Sequence, residues 1–136
     1  MEPLRQLFYL SRAREGLTEP DLQRILHISR RNNHRNDFTG CLLYSGRHFG
    51  QVLEGRGAAL AELIDRIAAD QRHTEFFIAL DHPLPRRSFP DWSMGILYRL
   101  DIADRMEEIL TQRPRSEESA LRLLPEMTPD AVIGRL

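Results

Sequence analysis

The stretch DFTGCLLYSGRHFGQVLEG, residues 37–55, decides the fold. Two apolar runs of about six residues flank Ser45-Gly46, a dipeptide suited to a tight turn, and predict a pair of antiparallel strands. In the second run Phe49, Gln51 and Leu53 share a face by the two-residue period of a strand. The middle residue is an amide between hydrophobic neighbours. If that face is covered, Gln51 must find hydrogen-bond partners, because an unpaired buried amide costs about 1–3 kcal/mol.

On the N-terminal side, LRQLFYLSR at 4–12 reads as a first strand, with Leu7, Tyr9 and Ser11 on one face and Phe8 and Leu10 on the other. Thr18, Glu19, Pro20 and Asp21 then form a helix start: a capping hydroxyl, a proline in the first turn and a carboxylate at the third position. Leu22, Ile25, Leu26 and Ser29 keep helical spacing, and the helix is expected to end near Asn32, Asn33 and His34. On the C-terminal side, Gly55 and Gly57 open a second helix whose buried stripe is Leu60, Leu63, Ile64, Ile67 and Ala68. EFFIAL at 75–80 predicts a strand covered on both faces. After the proline-bearing loop HPLPRRSFPD, WSMGILYRL at 92–100 reads as a fifth strand with Trp92, Met94 and Ile96 on one face. From Asp101, two short helical patterns separated by Pro114 and closed by Pro125 and Pro129 form a C-terminal cap. The fold class is therefore α+β, a ferredoxin-like split βαβ sheet of order βαββαββ with short C-terminal helices. Right-handed crossovers put the first and third strands side by side in the sheet centre and both helices on one face.

With 136 residues and 41% hydrophobic content, the chain supports one core. Nineteen basic and twenty acidic side chains give a net charge of -1, so neither nucleic acid nor a membrane is the expected partner. The single cysteine, Cys41, excludes an internal disulfide and fits a reducing cytoplasm. No export signal and no apolar run of roughly 18 residues is present. The five histidines have no metal-ligand spacing, and the chain has no nucleophile elbow, P-loop or GxGxxG. Cys41 and Ser11 lack a motif that marks an activated nucleophile.

The candidate site residues each admit two readings on pattern alone. Tyr9, on the strand beside Gln51, either only satisfies the amide or shares it with a ligand. Asn33, four residues after Ser29, either caps the first helix or turns a donor and an acceptor toward a ligand edge. Arg66, Asp70 and His73 fall on one helical face, a spacing that by itself describes an exposed ion pair worth a few tenths of a kcal/mol. Trp92 and Met94 by themselves read as core.

Taken as strings in order, FYLSRA at 8–13, NNHRNDFTGCLLYSGRHFGQVLEG at 32–55, ADQRH at 69–73 and RRSFPDWSMGIL at 86–97 resemble the BLUF family of flavin photoreceptors. The resemblance implies a photosensor domain at 1–98 and a helical extension at 99–136, in the manner of the short, single-domain members. It implies non-covalently bound FAD, with Tyr9 as the redox-active tyrosine and Gln51 between it and the flavin. Asn33, with Asn32 beside it, would grip the pyrimidine edge; Ile25 and Ile67 would form apolar walls. Arg66, Asp70 and His73 would contact the flavin or its ribityl and phosphate portion, which replaces the ion-pair reading. Trp92 and Met94 would compete for a place near Gln51 and pass the signal into the fifth strand. The implied event is light-driven electron and proton transfer from Tyr9, after which Gln51 is rotated or tautomerised and the flavin absorbs slightly further to the red. No substrate is consumed, so no enzyme is expected, and the signal would pass through a homo-oligomer (dimer or larger) or a separate downstream protein. Deleting residues 101–136 is expected to spare the spectral shift and remove the partner response. Leu10 departs from the family, many members having arginine there, and Asn32 occupies a variable position. Two other function classes share the scaffold: a small acyl-phosphate hydrolase, for which the Gly55-Arg56-Gly57 turn is the only, faint candidate for an anion-cradling loop, and a non-photoactive metabolite-binding module. Both predict a colourless protein.

Overall fold

Short-range chemistry sets the element boundaries in the computed structural model, which describes residues 3–112 and 117–127. The elements are β1 (Leu4–Ala13), α1 (Glu19–Asn36), β2 (Thr39–Tyr44), β3 (His48–Arg56), α2 (Gly57–Ala68), β4 (His73–Pro83) and β5 (Gly95–Tyr98). A single 3-10 turn, Leu100–Ile102, leads into α3 (Ala103–Gln112), α4 (Glu117–Leu121) and α5 (Leu124–Met127). Thr18 Oγ1 accepts the Asp21 N–H at 3.2 Å while the Asp21 carboxylate accepts the Thr18 N–H at 3.0 Å, a complete capping box at the start of α1. The far end lies beyond the expected one. Asp37 takes a left-handed conformation (φ 59°) and Phe38 N–H donates to the Asn33 carbonyl, so Asn32, Asn33 and His34 remain inside the last turns.

The sheet order is β4-β1-β3-β2-β5, with β3 in the centre beside β1 as the crossover rule requires. All neighbours are antiparallel except β5, which runs parallel to β2. Both faces of the sheet are covered. Leu7, Tyr9, Phe49 and Leu53 pack under α1 and α2 through Leu22, Leu26, Leu60 and Ile64. Phe8, Leu10, Leu43 and Val52 face the other way, against Met106, Ile109 and Leu110 of α3 and against Ala120, Leu123 and Met127.

Several expectations change. Gly55 lies in β3, where an added Cβ would stand 2.4 Å from the Phe38 ring; Gly57, at φ 42°, opens α2. Ala68 is exposed at the end of α2. β4 is an edge strand, so its apolar run is only half-buried, with Phe76 packed on one core and Phe77, Ala79 and Leu80 on the other. β5 begins only at Gly95, so Trp92 and Met94 precede it in a loop and sit on opposite sides of the sheet. Pro125 lies in the first turn of α5, where a missing N–H is tolerated, and does not close a helix. Pro114 and Pro129 lie outside the described residues.

That loop is fastened by a fully buried carboxylate. Glu54 accepts from Phe89 N–H (2.9 Å), Ser88 N–H (2.9 Å), Gln6 Nε2 (3.0 Å) and Thr39 Oγ1 (3.2 Å). Glu54→Ala strands these donors and is expected to cost about 2–4 kcal/mol, read as a lower urea midpoint at unchanged slope. The packing of α3 also revises the truncation expectation. A chain ending at Leu100 exposes Phe8, Leu10, Leu43 and Val52, and is expected to lose its cooperative melt by circular dichroism and to aggregate.

Candidate functional site

Between α1, α2 and the sheet runs an open cleft of about 250 Å³, just under the roughly 300 Å³ at which small-molecule sites begin. Tyr9, Ile25, Asn32, Asn33, Gln51, Arg66, Ile67, Asp70 and His73 all line it. Trp92 and Met94 do not line it.

The floor of the cleft is the β1–β3 ladder, in which Tyr9 and Gln51 are directly opposite. The Tyr9 hydroxyl donates to Gln51 Oε1 at 2.6 Å, and Gln51 Nε2 donates to the Met94 sulfur at 3.4 Å. A thioether is a weak acceptor, so the amide keeps donor capacity for a carbonyl placed in the cleft. Burial pushes the Tyr9 phenol above its ordinary range, the Asp70 charge adds to the rise and Arg72 opposes it. The proton therefore stays on the phenol at rest. Around the ring stand Phe76, at 4.8 Å, and His73, edge-on at 6.0 Å.

His73 is buried with both ring nitrogens engaged: Nε2 with the Ile67 carbonyl at 2.5 Å and Nδ1 with Ser11 Oγ at 2.6 Å. A carbonyl only accepts, so Nε2 carries a proton and donates to Ile67. The expected helical face of Arg66, Asp70 and His73 is not one face, since α2 ends at Ala68 and His73 begins β4. Asp70 instead pairs with Arg72, whose Nε lies 2.9 Å from Oδ1, and this bond holds the Asp70 carboxyl below its usual range. The sequence pattern does not mark Arg72, although the string ADQRH contains it, because a helical count carried past Ala68 steps over it. Arg66 is exposed at the rim.

From α1, Asn33 is 3% exposed and donates Nδ2 to the Ser93 carbonyl at 2.7 Å, which rules out the capping reading. Arg30, also unmarked by the sequence pattern, donates to the Met94 carbonyl at 2.9 Å. The two side chains tie α1 to the loop that supplies the Gln51 partner. Asn32 is exposed at the mouth, and Ile25 and Ile67 face the cleft half-buried from either helix. Trp92 packs on Phe89 beneath the opposite face, with its ring against Gly95. The Gly55-Arg56-Gly57 segment runs from strand into helix and forms no anion-cradling loop.

Apolar walls with a few convergent amides and a cationic rim suit a planar heterocycle carrying an anionic tail. Among the described residues no cluster of three or more His, Cys, Asp or Glu could hold a metal, and no helix is long and apolar enough to cross a membrane.

Comparison with known proteins agrees with this chemistry. The BLUF family, described as sensors of blue-light using FAD, matches residues 4–95. The dark-state structure of BlrB, a BLUF protein, is 35% identical, with a TM-score of 0.73 over 91% of this chain and 96% of that one. Klebsiella pneumoniae BlrP1 with FMN and cyclic diGMP is 32% identical, with a TM-score of 0.69 over 90% of this chain and 34% of that one. Among curated relatives, the photoactivated adenylate cyclase subunit beta of Euglena longa is 30% identical over 90% of this chain. The chain spans only 14% of that relative's length. The family match spans well over half of the chain, and the chain belongs to the BLUF family, the sensors of blue light using FAD.

Proposed function

We propose that this chain is a blue-light receptor that holds FAD non-covalently in the cleft and signals by rearranging the Tyr9–Gln51 hydrogen bond. The observation that carries this reading is the 2.6 Å bond from a buried phenol to an amide on the cleft floor, whose other end meets only a thioether. Bound flavin supplies the blue absorption and an oxidised ring able to take an electron. The chain supplies the rest. Tyr9 holds its proton on a line to Gln51 Oε1, so an oxidised phenol releases that proton along an existing bond. Gln51 has two low-energy arrangements. A half-turn of its amide lets Nε2 donate to the Tyr9 oxygen and turns Oε1 toward Met94, exchanging the O–H···O and N–H···S bonds for one N–H···O bond and freeing Oε1 and the phenol proton for new partners. Such an exchange is a two-state element that light can populate.

In this reading Asn33 and Asn32 take the pyrimidine edge, and Ile25 and Ile67 sandwich the ring. His73 contributes a ring edge and no free nitrogen. Arg66 and Arg72 receive the phosphate-bearing tail, with Asp70 orienting Arg72. FAD is the family's flavin, and the FMN of the BlrP1 relative marks the competing one. Residues 1–98 act as the sensor and 99–136 as its extension, working in the cytoplasm on a separate signalling protein or a second copy of the chain.

An absorption spectrum before and after blue light tests the reading. The purified protein is expected to be yellow, to shift red on illumination and to recover in the dark, while Gln51→Leu binds flavin without shifting; a colourless protein that takes up no added FAD overturns it. Tyr9→Phe leaves Gln51 Oε1 without its donor. It is expected to keep flavin, lose the light-induced shift, and melt lower by about 1–2 kcal/mol in a paired denaturation.

A further inference from the structure

Resting on the receptor reading, we propose that Glu107 of α3 is the positioning residue through which a change at Gln51 reaches the C-terminal helices, by way of Arg12 and His48 on the back of the same two strands. Along the β1–β3 ladder Tyr9 faces Gln51 and, three residues on, Arg12 faces His48. An odd separation puts the two rungs on opposite faces of the sheet. On the cleft face the rung is closed by the Tyr9–Gln51 bond. On the back face Glu107 bridges it: Oε2 lies 2.7 Å from His48 Nε2 and Oε1 accepts from Arg12 Nη1 at 2.6 Å, while Arg12 Nε also pairs with Glu75 of β4. His48 is wholly buried and held from behind by Ser45 Oγ, 2.8 Å from Nδ1. The Arg12 and His48 bonds keep the Glu107 carboxyl down at about 2, so the acceptor is charged at any physiological pH.

Between the two rungs α3 also touches the strand directly. Gly50, the neighbour of Gln51, has no side chain, and a Cβ there would lie 3.5 Å from Met106 Cε and 3.0 Å from Leu10 Cδ2. Met106 therefore sits on the backbone next to Gln51, and Glu107, the following residue, holds the next back-face rung. β1, which pairs β3 at this rung, breaks register with β4 on both sides of Tyr9–Leu10. A turn of the Gln51 amide that shifts β3 loads the Met106 contact and the Glu107 bonds together. This route leaves the sheet through β1 and β3, whereas a route through β5 would begin at Trp92 and Met94.

Hydrogen–deuterium exchange of residues 103–112, in the dark and under blue light, tests the proposal on flavin-loaded full chain whose light shift is recorded on the same sample. Wild type is expected to exchange α3 faster in the light, by about threefold or more. Glu107→Gln is expected to keep the spectral shift, to exchange α3 fast in the dark and to show no further light response. Arg47→Ala removes the neighbouring surface pair with Asp104, also between this part of the sheet and α3, and is expected to keep the light response. A shift without a change in wild-type α3 exchange, a light response surviving in Glu107→Gln, or loss of the response equally in Arg47→Ala overturns the coupling and leaves the receptor reading standing. Absence of flavin or of any shift in wild type overturns the receptor reading and the coupling with it.

Discussion

The antiparallel pairing of β1 with β3, unbroken from Leu4–Arg56 to Arg12–His48, has helices packed on both of its faces. Nearly every residue of the two strands is buried, so neither side can give its polar groups to water. Each polar side chain in the ladder must therefore be answered from within. Gln6 answers Glu54, Tyr9 answers Gln51, Ser11 answers His73, and Ser45 answers His48. The site is built from the same condition. A sheet covered on one face only would let Gln51 turn to solvent, and its orientation would carry no information.

The loop after β4 depends on the same ladder. Glu54 lies in β3 and binds the backbone at Ser88 and Phe89, Gly40 N–H in β2 binds the Trp92 carbonyl, and α1 takes Ser93 and Met94 through Asn33 and Arg30. Three elements thus hold five residues of irregular chain so that one sulfur meets one amide. That is a large amount of scaffold for a weak hydrogen bond, as the proposed exchange at Gln51 requires.

Features set by near neighbours were legible in the sequence. The capping box at Thr18, the hairpin about Ser45-Gly46, and the amide between Phe49 and Leu53 depend on contacts a few residues apart or on a strict period, and the structure has all three. The pairing of β1 with β3 in the middle of the sheet followed from handedness. What failed were extrapolations of a period beyond its element. Trp92 and Met94 share a face only if the chain is already extended there, and it is not until Gly95. Arg66, Asp70 and His73 share a helical face only if α2 continues, and it stops at Ala68. They reach one cleft nonetheless, because the turn at 70–72 folds back along it. Asn33 was ambiguous because the left-handed cap at Asp37 has no signature stronger than an Asn-rich stretch.

The Arg12–His48–Glu107 cluster was invisible for a different reason. Its members are drawn from β1, β3 and α3 and converge only after both the ladder register and the back-face packing are known. No local pattern marks Glu107, one of several acids in a helix whose Met106, Ile109 and Leu110 carry the periodic signal. Apolar burial fixes where α3 lies, to within a turn or so, since Leu and Met tolerate sliding. The charged contact then selects the register, because a carboxylate that must meet both a guanidinium and an imidazole has one position. The proposed coupling depends on this division of labour: the hydrophobic contact keeps the helix attached, and the directional one can be loosened without losing it.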